Sequence, residues 1–284
     1  MVKVLIATFS QTGSTKKLAQ KIAGSLLSSK WELTHFDISG SDIPDVEEYD
    51  VIGIGTPTYF FRPPFIVEDF VNNLKGLENK SFFVFVLHGT HPGNCGNWIR
   101  RKLETKGAKD LGYFISFGVD FWMGYIKRGI MFSPDSPTKT ELSSAEDFGK
   151  KVVTRYADPN PRVEPFDPYT PFMYGIERML VARPFAKLMY SKTFRADNKC
   201  DNCGICIHKC PVNNITEKSN GKLKWHSNCI LCATCELSCP KDAIHSAFDW
   251  FIFAPFMLYN IKKSKKKQIP YAKVEHSEGK TRLI

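Results

Sequence analysis

The sequence predicts an α/β protein: a doubly wound, five-stranded parallel sheet followed by a small, cysteine-rich α+β domain. Three observations carry this reading. Strand-like and helix-like patterns alternate as far as residue 157, a burst of prolines follows, and eight of the nine cysteines lie between Cys200 and Cys239.

The first strand is the apolar run at 2–8. Similar runs at 51–55, 82–87 and 113–119 give further buried strands, and 33–38 adds a weaker, alternating one. Helical patterns fall between them, over 14–27, 65–74 and 98–106, with a last one over 142–156. Strands that alternate with helices build a parallel sheet covered on both faces, whose ligands sit beyond the carboxyl ends of the strands. Pro159, Pro161, Pro165, Pro168 and Pro171 then crowd a stretch that can continue neither a helix nor a central strand. An aromatic-rich helical stretch from 172 to about 190, interrupted at Pro184, reads as a packing element. The expected organisation is a first domain over 1–157, a proline-rich linker and packing helix over 158–193, a cysteine domain over 194–247, and an apolar then basic tail over 248–284.

The N-terminus opens directly into a strand, without the pattern of a secretory signal. No run approaches the roughly 20 apolar residues needed to span a bilayer, so a cytoplasmic protein is expected. In a reducing compartment crowded cysteines indicate metal rather than disulfides. The 39 basic and 29 acidic residues give a formal charge of +10. Bound anionic groups would lower it. No nucleic-acid partner is therefore expected.

The cysteines form an internal repeat. Cys200, Cys203, Cys206 and Cys210 recur 29 residues later as Cys229, Cys232, Cys235 and Cys239, with Pro211 mapping onto Pro240 and Ile215 onto Ile244. Both halves read C-x2-C-x2-C-x3-C-P. Three thiolates at this spacing can wrap one face of a cubane, while the fourth reaches the other cluster. One cluster would then take Cys200, Cys203, Cys206 and Cys239, and the other Cys229, Cys232, Cys235 and Cys210. Structural zinc asks for four ligands, commonly as two separated pairs, and leaves this surplus unexplained. The segment resembles the bacterial-type two-cluster ferredoxins, which implies two [4Fe-4S] clusters.

After the first strand comes Ser10-Gln11-Thr12-Gly13-Ser14-Thr15, which opens a helix. Hydroxyls and backbone N–H groups at a helix N-terminus make an anion site. A hydroxyl-rich cap without ligand is the plainer alternative, but four hydroxyls in six residues exceed what one cap needs. No Gly-Lys-Ser/Thr follows, which excludes a Walker loop. The stretch resembles the flavodoxin phosphate loop, and residues 1–157 resemble a flavodoxin-like domain. That implies FMN, with a second loop at Pro57, Thr58, Tyr59 and Phe60, and a third containing His88, Gly89, Thr90, Cys95 and Gly96. Tyr59 and Phe60 are candidates to stack on the flavin. The second loop has no glycine after Gly55, a departure from the glycine-bearing loop common in flavodoxins. The segment 120–125 could form a lid.

The apolar stretch 248–259 with Lys262, Lys263, Lys265, Lys266 and Lys267 reads first as an element packed on the cysteine domain. Membrane contact is the second reading, weakened by Asp249 and Pro255. The whole chain resembles fused flavodoxin–ferredoxin proteins of anaerobic microbes. The resemblance implies an electron-transfer protein that passes electrons between FMN, the clusters and redox protein partners, such as a ferredoxin-like donor or an acceptor oxidoreductase. The path would run within one subunit or across a homodimer. Thr56-Pro57-Thr58 also resembles flavodoxin-like NAD(P)H:quinone oxidoreductases, so the alternative is an FMN enzyme reducing a quinone or similar acceptor, with auxiliary clusters.

Overall fold

The computed structural model describes residues 1–40, 43–167 and 172–284. Pro168 and Pro171 of the proline cluster lie outside the described residues. In chain order the first elements are β1 (Lys3–Thr8), α1 (Ser14–Ser28), β2 (Glu32–Asp37), β3 (Val51–Pro57), α2 (Phe65–Asn73), β4 (Ser81–His88), α3 (Cys95–Glu104) and β5 (Lys109–Phe117). Then come α4 (Met123–Ile126), β6 (Ile130–Phe132), α5 (Lys139–Ala157) and α6 (Phe172–Leu180). A bent helical stretch follows, α7 (Arg183–Phe185) passing through a π turn at Ala186–Tyr190 into α8 (Ser191–Thr193). The remainder is β7 (Arg195–Ala196), α9 (Ile205–His208), β8 (Ile215–Glu217), β9 (Leu223–Trp225), α10 (Thr234–Leu237), β10 (Ile244–His245), α11 (Ala254–Lys266), β11 (Tyr271–Ser277) and β12 (Lys280–Leu283). The chain divides into two compact units, 1–118 with 135–174, and 119–134 with 175–284.

In the first unit the five strands are parallel in the order β2-β1-β3-β4-β5. This is the doubly wound sheet expected from the alternating pattern. β3 and β4 are buried almost end to end because helices cover both faces of the sheet. On one face Leu18 and Ile22 of α1 and Phe148 and Val152 of α5 pack on Val4, Ile6, Val51, Phe83 and Phe85. α5 begins with a capping box in which Thr138 and Glu141 satisfy each other's backbone N–H groups. Winding reverses between β1 and β3, so the loops after these strands diverge and leave a crevice at their carboxyl ends.

The proline-bearing segment after α5 is held to the same unit by polar side chains. Buried Arg100 pairs with Asp110 at 2.7 Å and donates to the carbonyls of Glu164 (2.8 Å) and Pro165 (3.3 Å). Asn97 exchanges two bonds with the backbone of Asp167, at 3.1 and 2.9 Å. These contacts serve the backbone groups of an irregular stretch that lacks a sheet ladder.

The second unit contains two antiparallel pairs, β7 with β10 and β8 with β9, and the short helices α9 and α10. α9 and α10 are offset by 29 residues, the spacing of the cysteine repeat. The stretch beyond residue 247, read from the sequence as a tail, is folded. It forms α11 and then a hairpin whose first strand pairs with β6, giving a sheet of order β12-β11-β6. The segment 120–125 also belongs to this unit, where Met123, Ile126 and Met131 pack with Ala233 and Val274.

Candidate functional sites

In the first unit the crevice begins at the loop between β1 and α1. Gly13 takes φ +89°, a left-handed conformation open to glycine, and its N-cap position carries no side-chain cap. The first intrahelical bond runs from Lys17 N–H to the Gly13 carbonyl at 3.0 Å, so the N–H groups of Ser14, Thr15 and Lys16 stand ahead of the ladder. Ser10 Oγ is buried and has no hydrogen-bond partner among the described residues. A buried hydroxyl left unpaired is costly unless a ligand meets it. Thr15 is buried and Thr12 is exposed. An orphaned hydroxyl, three leading N–H groups and a helix dipole are the chemistry of a phosphate cradle.

The second loop turns tightly. Tyr59 and Arg62 exchange backbone bonds at 3.0 and 3.1 Å, and both residues between them, Phe60 (φ +47°) and Phe61 (φ +64°), are left-handed. Bulky side chains rarely accept this conformation. The turn is held from several sides. Phe61 is buried and stacks on Tyr174 at 4.3 Å, with His91 edge-on to both rings. Asn94 N–H donates to the Phe61 carbonyl at 2.8 Å, and Tyr59 hydroxyl donates to Gln11. Tyr59 and Phe60 stay part-exposed.

The third loop is packed against the second. Gly93, at φ +61°, lies so close that an added Cβ would stand 2.3 Å from the Phe61 Cα. His91 Nδ1 accepts from Gly93 N–H at 2.9 Å, and Thr58 Oγ1 donates to the Pro92 carbonyl at 3.3 Å. His88, Gly89 and Thr90 remain part-exposed at the end of β4. Cys95 and Gly96 are drawn into α3 and buried. Cys95 Sγ points to the Pro57 carbonyl, and burial pushes its thiol far above the ordinary range, so it stays neutral. The structure thus brings the β1–α1 loop to the second loop through Gln11 and Tyr59, and the second to the third through Phe61, Thr58 and Cys95. Tyr174, remote in sequence, is the supporting residue that sequence reasoning missed.

In the second unit Cys200, Cys203, Cys206 and Cys239 line one cavity together with Gly204, Leu223, Pro240 and Ile244. The fourth thiol comes from the other half of the repeat. The second set converges as well: burial pushes Cys229 up to about 12, with Cys232 and Cys210 adding to the effect as close neighbours. Cys235 is raised first by burial and then by Cys232 and Cys229. Burial likewise lifts Cys206, to about 11, with Cys200 and Cys203 beside it. None of the eight is in a disulfide. Without anionic partners these groups hold their protons, which ligation must displace. Among the described residues no group of His, Cys, Asp or Glu closes on a single metal ion; the thiols of the first set line a cavity instead.

Backbone donors follow the same symmetry. Asn214 N–H points to Cys210 Sγ at 3.2 Å, and Ala243 N–H to Cys239 Sγ at 3.3 Å, again 29 residues apart. Thr234 Oγ1 donates to Cys232 Sγ at 3.2 Å. Hydrogen bonds to ligating sulfurs spread their negative charge and tune reduction potential. Four soft donors in each set, each set completed from the other half of the repeat, fit a cubane cluster.

Residues 5–118 match the family described as a flavodoxin domain, and residues 199–244 match a 4Fe-4S dicluster domain. An uncharacterized protein of Methanocaldococcus jannaschii is 26% identical over 146 residues, 49% of this chain and 90% of its own length. Among solved structures, oxidised flavodoxin 1 from Bacillus cereus superposes with a TM-score of 0.44 at 22% identity, over 54% of this chain and 97% of its own. A Streptococcus pneumoniae flavodoxin gives 0.44 at 19% identity, over 54% and 99%.

Proposed function

We propose that this chain, a flavodoxin domain joined to a 4Fe-4S dicluster domain, passes electrons between FMN and two [4Fe-4S] clusters and on to external redox proteins in anaerobic metabolism. The electron-transfer role itself follows from the two domain types, whose cofactors are FMN and two [4Fe-4S] clusters. FMN supplies a centre able to take two electrons, and the clusters are one-electron groups. What supports the proposal is one chain that has an unpaired buried hydroxyl at a helix N-terminus and two groups of thiols, each drawing on both halves of the repeat.

In this reading Ser10, Thr12, Ser14 and Thr15 hold the FMN phosphate with the leading N–H groups of α1. Gln11 reaches from the same loop to position Tyr59. Tyr59 and Phe60 lie beside the ring system, and Pro57 and Thr58 fix the loop that presents them. His88, Gly89 and Thr90 bound the crevice on the third loop. Cys95 and Gly96 act behind it, as buried supports of that loop. Cys200, Cys203, Cys206 and Cys239 hold one cluster, and Cys229, Cys232, Cys235 and Cys210 the other. A ferredoxin-like donor or an acceptor oxidoreductase completes the path.

Anaerobic purification with quantitation of iron, sulfide and FMN, followed by stepwise redox titration, tests this. The expected result is one flavin and about eight iron atoms per chain. Rapid mixing with NADH or NADPH separates the carrier from an FMN reductase: the carrier leaves the flavin oxidised on mixing and is reduced quickly by a reduced ferredoxin. Fast bleaching by a pyridine nucleotide would overturn the carrier reading.

A further inference from the structure

The second unit carries large apolar side chains that the fold leaves outside. Leu188 is 67% exposed, Met189 52%, Phe251 89%, Ile252 59% and Leu258 57%. Single exposed apolar residues are ordinary on a protein surface; these are concentrated on two segments that lie side by side. The stretch α6–α8 runs antiparallel to the stretch from residue 247 through α11. Asn260 Nδ2 donates to Glu177 at 2.9 Å, Tyr190 packs on Phe248 (5.3 Å) and Phe253 (5.9 Å), and Ala247 N–H donates to Thr193 at 3.0 Å. Partner numbers fall on one side as they rise on the other. Leu188 and Met189 therefore stand level with Phe251 and Ile252. Tyr190 and Phe248 are buried beneath them. The result is an apolar ridge contributed by two segments.

Cations lie on the same two segments. Lys187 and Lys192 are exposed beside Leu188 and Met189, and Lys262, Lys265, Lys266 and Lys267 are exposed where α11 ends. Two sequence features counted against a membrane contact are accommodated by the fold. Asp249 pairs with Lys127, at 2.6 Å, a cation it shares with Glu236, and lies 3.5 Å from His245. Pro255 lies in the first turn of α11, where a proline costs no helical bond. No helix among the described residues is long and apolar enough to cross a membrane.

We propose that this face lies on an anionic lipid bilayer, with the ridge of Leu188, Met189, Phe251 and Ile252 entering the boundary between headgroups and acyl chains. Apolar and aromatic side chains flanked by lysines are the composition of an interfacial, non-spanning contact. The lysines meet lipid phosphates, and the contact holds the electron carrier beside membrane-bound redox partners.

The test is flotation of the full-length, cluster-loaded protein with phosphatidylcholine vesicles and with vesicles containing about one-third phosphatidylglycerol. The wild type is expected to float with the anionic vesicles, more weakly with the neutral ones, and less at high salt. Phe251→Glu with Ile252→Glu should weaken partition at least about tenfold, with cluster absorbance unchanged because both positions are exposed. Lys265→Gln, Lys266→Gln and Lys267→Gln together should reduce binding to anionic vesicles by about fivefold per lysine and barely change the neutral case. A wild type that stays at the bottom of the gradient with both vesicles overturns the proposal, as does flotation indifferent to both sets of substitutions. If the wild type fails to float but self-associates, and Phe251→Glu with Ile252→Glu abolishes that, the face belongs to a second copy and the lipid assignment is wrong.

Discussion

Replacing Gly93 by alanine should loosen the crevice of the first unit by pushing the second loop off the third. The new Cβ would stand 2.3 Å from the Phe61 Cα and carbonyl oxygen, backbone atoms that cannot swing aside. An L-residue at φ +61° also incurs about 1–2 kcal/mol in the left-handed region. Moving the Phe61 turn away breaks the 2.8 Å bond from Asn94 N–H, worth about 1 kcal/mol. These contributions sum to about 2–3 kcal/mol before any strain in the stacked Phe61–Tyr174 pair. For a unit of this size that corresponds to a fall in melting temperature of about 5–10 °C. Thermal unfolding of the cofactor-stripped chain measures it, and titration of FMN fluorescence measures the consequence for the site. The dissociation constant should rise about tenfold or more, because the second loop no longer presents Tyr59 and Phe60 correctly. Gly24→Ala is the internal control: its Cβ meets nothing within 4 Å on α1, so it should stabilise by up to about 1 kcal/mol. The reasoning fails if Gly93→Ala and Gly24→Ala behave alike, or if Gly93→Ala leaves both melting and FMN affinity at wild-type values.

Ser10→Ala removes a hydroxyl with no partner among the described residues, so apo stability should hold while FMN binding weakens about tenfold to a hundredfold; lost stability with unchanged FMN affinity would refute its role. Cys239→Ser should abolish the same titrating cluster as Cys200→Ser, lowering iron from about eight to about four atoms per chain. If it instead matches Cys229→Ser in the redox titration, the crossing is wrong. Asp120, held by Trp122 N–H at 3.0 Å, is pushed up to about 6 by burial. A carboxyl raised in the folded state contributes stability that is complete below its unfolded value near 4 and is lost as pH rises through about 6. Asp120→Asn keeps the acceptor for Trp122 and should flatten the fall in melting temperature between about pH 4 and 7; an unchanged pH profile would sink that assignment.

Much of the first unit was legible because its signals are local. Each core strand is a run of apolar residues such as 82–87, and the phosphate loop is a crowd of hydroxyls next to a helix start. What escaped was carried by long-range partners. β6 has three residues, and its partner β11 lies far along the chain, with Tyr271 opposite Phe132. Nothing in either segment alone announces the pairing. α11 turns Met257, Asn260, Ile261 and Ser264 inward, a spacing that fits one helix face. Two of those four are polar, and the following lysines dominate the composition, so the segment reads as an apolar packed stretch that runs into a basic tail, without the extent of the helix. Asn260 is buried because Glu177 on α6 accepts its amide proton, a pairing visible only once both helices are placed. Tyr174 supports Phe61 by the same kind of remote contact.

The cysteine repeat extends deeper than its cysteines. Three left-handed backbone positions recur at its 29-residue offset: Asn202 with Leu231 (φ +56° and +58°), Gly204 with Ala233 (+73° and +54°), and Asn213 with Asp242 (+49° and +48°). In the first half Asn, Gly and Asn favour these turns locally. In the second half Leu231 and Ala233 do not, and each carries about 1–2 kcal/mol of backbone cost. Side-chain identity therefore diverged where conformation did not, which is why sequence reading found the sulfur spacing but not the turns. The turns curl the chain so that thiols face inward and N–H groups such as those of Asn214 and Ala243 face sulfur. Local preference explains that curl in the 200–210 half alone. In the 229–239 half the curl must be sustained by what it encloses and by the packing of Ala233 against Met123, Ile126 and Val274. On the proposed assignment, ligation of Cys229, Cys232 and Cys235 is thus the step on which the shape of that loop would depend most.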